Sequence, residues 1–158
     1  MVEGTQERAQ ESAREERQRL LAAIAEQLPD AVIFADREGL IRHWNPGAEA
    51  VFGFSAAEVM GQSLDVIIPE RLRAPHWAAY HRAIESGHTR GGNEVRTTRA
   101  LHKDGRKLYV DFSFGLVLDE SGVALGSMAL GRDVTKRYEE LKALRERVAA
   151  IDAARPRG

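Results

Sequence analysis

The sequence predicts an α+β domain built on one five-stranded antiparallel sheet, with short helices across one face and a charged helix at each end. Three observations predict it. Two short apolar runs flank a turn signal where the globular part begins, a series of short helix signals fills the middle, and three extended segments close it. Both ends instead carry dense charge with apolar residues at three- and four-residue spacing.

The first segment, 3–28, is rich in Glu, Arg, Gln and Ala, lacks Pro and contains only Gly4. Leu21, Ile24 and Leu28 give it a narrow apolar seam, and Pro29-Asp30 ends it. An apolar run at 31–35 then meets the turn signal Asp36-Arg37-Glu38-Gly39, and 40–44 returns as the second arm of a hairpin. Asn45-Pro46-Gly47 breaks that strand, with Asn45 a candidate helix cap and Pro46 at the first helical position. A short helix over 48–52 precedes Ser55-Ala56-Ala57-Glu58, a capping-box pattern that opens another.

The strongest internal helical signal spans 69–86 and stops at Gly87. Extended segments at 94–102, 107–118 and 124–132 follow, separated by Lys103-Asp104-Gly105 and Asp119-Glu120-Ser121-Gly122. Leu108, Val110, Phe112, Phe114 and Leu116 alternate, which lays one side of that strand against apolar material. At the far end, Leu141, Leu144, Val148 and Ile151 form a short heptad seam. A second copy or a partner helix satisfies such a seam; packing on its own domain is the alternative. Three parts result: a helix at 1–29, a globular domain at 30–133, and a helix with its tail at 134–158.

Composition removes whole classes of function. The 158 residues are 43% hydrophobic and 30% charged, and none is cysteine, so disulfides, cysteine-ligated metals, thiolate nucleophiles and a flavin–thiol adduct are impossible. Lys and Arg total 23 against 24 Asp and Glu, a formal charge of −1, which argues against a chain that coats nucleic acid or an anionic membrane. The polar start (1–10) is unlike a signal peptide, and no apolar run is long enough to span a bilayer. A cytoplasmic location is expected. Walker, dinucleotide and Ser–His–Asp patterns are missing, and Asp36, Glu58 and Asp104 read as turn and capping groups, so no catalysis is expected.

The order of motifs resembles the PAS family over about 28–135. The carriers are Asp36-Arg37-Glu38-Gly39-Leu40-Ile41, Trp44-Asn45-Pro46, Phe52-Gly53-Phe54-Ser55, Glu58, Gly61-Gln62, Pro69-Glu70, Lys103-Asp104-Gly105 and Gly131-Arg132-Asp133-Val134-Thr135. The resemblance implies the PAS fold and a sensory module whose flanking helices signal, with the Asp133-Val134-Thr135 junction passing changes in the sheet to the last helix. It also implies a homodimer, and output through a separate effector such as a histidine kinase or a regulator, or through a longer sensor of which this is a piece.

A second resemblance concerns the ligand. Pro69-Glu70-Arg71-Leu72-Arg73-Ala74-Pro75-His76 is similar to the segment of FixL-type haem PAS sensors that ends in the axial histidine. By that resemblance, His76 ligates iron, Arg82 and Arg90 partner the haem propionates, Arg96 is the distal hydrogen-bond donor, and Phe112 and Phe114 cover the distal haem face. The implied function is sensing of a diatomic gas or redox state. The residue types suit it: imidazole binds iron, guanidinium pairs with carboxylates, and a flat macrocycle needs apolar walls. The plain alternatives are a helix histidine at a cavity rim and three solvated arginines, in a dimerising interaction module whose cavity holds flavin, a small metabolite or nothing.

Other side chains are secondary. His76 and His81 lie about 140° apart around a helix and form no metal pair. His43, His88 and His102 are expected at the surface. Met60 and Met128 offer thioethers as a sixth iron ligand but suit core filling better. Trp44 and Trp77 offer rings that could stack on flavin; Trp44 fits a core strand position, and Trp77 beside His76 could fill space or stack. Gly91-Gly92 stands where bulkier residues would flank the distal pocket.

Overall fold

The computed structural model describes residues 3–91 and 94–155. Helix α1 (Glu3–Gln27) leads into β1 (Ala31–Asp36) and β2 (Ile41–Trp44). Then come α2 (Pro46–Phe52), α3 (Ala56–Val59), a 3-10 turn (Leu64–Val66) and α4 (Glu70–Ser86). Strands β3 (Arg96–Leu101), β4 (Lys107–Leu118) and β5 (Ala124–Asp133) precede α5 (Thr135–Ala153). The strands pair antiparallel in one sheet ordered β2-β1-β5-β4-β3, the α+β architecture expected. Strand β3 begins two residues later than the sequence pattern suggested, because Glu94 first closes a turn onto the Gly91 carbonyl.

Strand alternation decides which face is covered. Ala31, Ile33 and Ala35 of β1, Ala100 of β3, and Leu108, Val110 and Phe112 of β4 point inward, where Phe52, Val59, Tyr80 and Ile84 from the helices meet them. Tyr109 alternates to the opposite face, where Tyr138 of α5 stacks on it with centroids 3.7 Å apart. Beyond that contact α5 buries none of its residues, and Leu141, Leu144, Val148 and Ile151 are all exposed.

Local chemistry fixes the boundaries. Asp36 accepts from the Glu38 and Leu40 amides and closes the hairpin turn. Ser55 and Glu58 form the reciprocal capping box, and Glu58 also pairs with Lys103. Asn45 does more than cap α2. Its Oδ1 accepts from the Val32 amide (2.8 Å) and the Ala48 amide (2.9 Å), while Nδ2 is shared among the carbonyls of Ala25, Leu28 and Asp30 at 3.0–3.2 Å. One fully buried amide therefore ties the end of α1 to β1 and α2. Gly47 allows this approach, since a Cβ there would lie 2.2 Å from the Asp30 carbonyl oxygen.

Two expectations for histidines need correction. His102 is not a surface residue: its side chain is 15% exposed, because its ring fills the space over Gly53. His43 is half-buried beside α1, with Nε2 inaccessible and 3.8 Å from Glu26. His88 is exposed, as expected.

Replacing Asn45 with Ala strands buried backbone groups at three elements. Urea unfolding is expected to show a loss of about 3 kcal/mol. Asn45→Asp should be no milder, because it turns a carboxylate toward three carbonyl oxygens.

Candidate functional site

Helix α4 presents the residues around His76. It runs Glu70–Ser86, carries Pro75 in its interior, and ends on Gly87 in the left-handed region (φ 69°). Two side chains hold it to the rest of the domain. Trp77 lays its ring over Gly39 of the β1–β2 turn and donates from Nε1 to Asp65 Oδ1 at 2.9 Å. Tyr80 is buried, with its hydroxyl against the carbonyls of Ala35 and Asp36. Gly39 is required at its position: it sits at φ +79°, and a Cβ there would lie 2.2 Å from the Trp77 ring.

His76 sits between these anchors. Its imidazole meets Trp77 edge-on at 5.0 Å between centroids and Tyr80 at 6.0 Å. Nε2 is inaccessible to solvent and has no hydrogen-bond partner among the described residues. Burial holds its pKa below the ordinary 6.5, partly opposed by the Asp65 carboxylate. The ring is therefore neutral at pH 7 and keeps a nitrogen lone pair, the form that binds a metal.

The remaining candidates fall into two groups. Arg96 stands opposite Phe112 in the β3–β4 register, so the two share the helix-covered face. Phe112 is buried, stacked between Phe52 (6.3 Å) and Phe114 (5.3 Å). Phe114, next on that face, is 42% exposed, and Leu118 is 45% exposed. The apolar lining thus runs out from the packed core to an open groove of about 310 Å³ between Leu116, Leu118 and Gly87-His88-Thr89. Arg82 and Arg90 are exposed and form no ion pair among the described residues. Arg82 lies about 120° around α4 from His76, so the two do not share a helix face. Gly92 lies outside the described residues.

The other side chains take structural roles. The Trp44 indole is buried, tilted against Phe52, and donates to the Phe54 carbonyl, which leaves no face for a ligand. Met60 and Met128 are exposed, and Met128 lies on the sheet face opposite Phe112. The described residues contain no cluster of three or more His, Cys, Asp or Glu able to hold a metal ion. No described helix is long and apolar enough to cross a membrane.

Sequence reasoning singled out His76 and the Trp77 beside it but missed Tyr80 and Asp65. Tyr80 follows His76 by four residues, a one-turn spacing that could have signalled their contact. Asp65 gave no such signal, because its approach to Trp77 depends on how the 3-10 turn folds back.

The fold and this helix–sheet arrangement define a sensory domain of the PAS class. The model of the PAS fold family matches residues 25–139, and the chain belongs to that family. It is 28% identical over 130 residues to the oxygen sensor protein DosP of Escherichia coli K12, covering 82% of this chain and 16% of the relative. It is likewise 28% identical over 143 residues to the sensor protein FixL of Bradyrhizobium diazoefficiens, covering 89% of this chain and 28% of the relative. The chain thus spans less than a third of either relative. Among solved structures, the PAS domain of a Colwellia psychrerythraea protein superposes with a TM-score of 0.66 at 24% identity, covering 75% of this chain and 98% of that one.

The depressed His76 pKa has a signed consequence. The unfolded chain takes up this proton near pH 6.5, before the folded one does, so stability falls as pH drops below about 6.5 toward the folded pKa. Thermal melts between pH 7.5 and 5 should show this loss, and His76→Gln should reduce its slope.

Proposed function

We propose that the chain is a haem-binding PAS sensor of a diatomic gas or of redox state. The observation that carries the reading is the inaccessible, partnerless Nε2 of His76, at the position where the sequence resemblance puts an axial ligand. An imidazole nitrogen held away from water without a hydrogen bond is costly unless something binds it. The two relatives are an oxygen sensor protein and a sensor protein, which agrees with that reading.

Each residue then has a defined task. Haem, when bound, supplies an iron that takes up a diatomic gas or changes oxidation state. His76 holds the iron, and Phe112 with Phe114 walls the distal face. Arg96 donates a hydrogen bond on that side. Its present exposed pairing with Glu94, at 3.5 Å, is worth under about 1 kcal/mol and opposes little movement. Arg82 and Arg90 offer unpaired guanidinium groups to the propionates.

The signal leaves through the flanking helices of a homodimer acting within, or on, a histidine kinase or regulator. The organisation is a helix at 1–29, the sensor at 30–133 and a signalling helix with tail at 134–158. The exposed seam of α5 supports self-association. One observation favours the second reading, an interaction module with another ligand or none: Phe112 is already packed into the core against Phe52.

Absorption spectroscopy separates the two. Protein supplied with hemin is expected to show a Soret band that shifts with carbon monoxide and is lost in His76→Ala. An unchanged band in that variant, or none in the parent, defeats the haem reading. Arg96→Ala should leave hemin binding intact while accelerating oxygen dissociation by about ten-fold, the loss of one hydrogen bond of about 1.4 kcal/mol. For the dimer, light scattering at tens of micromolar should give twice the chain mass, and Leu144→Glu with Val148→Glu should return the monomer.

A further inference from the structure

Metal-bound histidines ordinarily donate their second ring N–H to a carboxylate, carbonyl or water, and that bond fixes the ring. Nε2 of His76 is buried without a hydrogen-bond partner among the described residues, and Nδ1 is left open to water. Its ring is confined by aromatic surfaces instead. Trp77 stands edge-on to it at 83°, and Tyr80 lies at 35° one turn further along α4. Both neighbours are themselves pinned at their far ends. Trp77 is fixed by Asp65 and by the bare backbone of Gly39, and Tyr80 by the β1 carbonyls. Asp65 is held in turn, with Arg73 Nε 3.7 Å from its carboxylate and Arg73 Nη2 donating to its carbonyl.

We propose that Trp77 is a positioning residue that fixes the His76 imidazole for its ligand by aromatic contact, in place of a hydrogen bond to a protein group. The functional part of this inference rests on the haem reading; the clamp itself does not. A ring oriented by contact has no carboxylate or carbonyl to enrich its electron density, only water at Nδ1, so the bound imidazole is a neutral, comparatively weak donor. The contacts also join the ligand to the β1–β2 turn, because Trp77 bridges His76 and Gly39. Displacing the ring along its axis therefore presses on that turn.

The test uses Trp77→Leu, Trp77→Phe, and His76→Gly with and without Trp77→Leu, each checked by circular dichroism. In haem-free protein, nitrogen-detected NMR of the His76 ring should show one ordered environment in the parent and an averaged one in Trp77→Leu. With hemin, Trp77→Leu should weaken binding by about ten-fold or more and shift the iron–imidazole stretching band, while Trp77→Phe, which keeps a ring, recovers most of the affinity. Free imidazole should restore the parental spectrum to His76→Gly but not to the double variant.

The outcomes separate the two claims. If hemin binds through His76 while Trp77→Leu leaves affinity, Raman band and imidazole rescue unchanged, the positioning role is overturned and the haem reading stands. If hemin does not bind, the haem reading fails; an ordered His76 ring that loosens in Trp77→Leu still supports the clamp, and an equally mobile ring in both proteins overturns it. Where Trp77→Leu unfolds, Trp77→Met takes its place: parental values for the ring signal and the stretching band in that ring-less variant would overturn the positioning role.

Discussion

The amide of Asn45 is the constraint on which the arrangement of this domain depends. Five backbone groups from α1, the following turn, β1 and α2 converge on one side chain with no access to water. Only an amide offers an acceptor and two donors at this size, which explains why the site is Asn rather than Asp or Leu. Leaving any of these groups unmatched costs about 1–3 kcal/mol, so the contacts act as a set. Their geometry decides where α1 stops and how β1 enters the sheet. It also starts α2, the helix that brings Phe52 into the core.

The exit of the chain is fastened close to that knot. In the β1–β5 register Ala31 faces Gly131, so the first residue of the sheet lies beside one of its last. Asp30 accepts two hydrogen bonds from Arg132, at 2.9 and 2.8 Å, and that pairing lowers the Asp30 pKa. Three residues on, Thr135 is held by Asp133 and accepts from the Tyr109 amide. Tyr109 then carries Tyr138 on its ring, with Arg99 5.6 Å from the ring centre. Both terminal helices therefore attach at one end of the sheet. Strand β4 links that end to the helix-covered face: Tyr109 points toward α5, and Phe112 and Phe114 point to the side the helices cover.

Sequence legibility followed the range of the forces involved. The Asp36 turn, the Asn45 and Ser55 caps and the stop at Gly87 are local, and all four were readable. The alternation in β4 was readable too, because one strand in contact with one core imposes a period of two. What escaped depends on contacts distant in sequence. His102 looked like a turn residue, yet Gly53 on another element leaves the space its ring fills. Asn45 was legible as a cap but not as the partner of α1, since nothing local marks three carbonyls about 15–20 residues upstream. Phe112 and Phe114 fell on one face as expected, but where the covering helices end decides that one is buried and the other half open.

The same reasoning bears on why His76 carries an unmatched nitrogen. A structural core position of this size is better served by Leu or Phe, which bury no polar atom, and a structural histidine is better served by a partner for each nitrogen. Asn45 shows that this fold can satisfy a buried amide completely, whereas the Nε2 atoms of both His43 and His76 lack a hydrogen bond among the described residues; His43 at least has Glu26 at 3.8 Å. On the helix-covered sheet face, Phe114 and Leu118 are exposed while Leu116 between them packs on the core. The unmatched nitrogen of His76 and the exposed Phe114 and Leu118 are therefore two separate local costs. Coordination of the imidazole would offset the first cost, and apolar cover of the strand would offset the second.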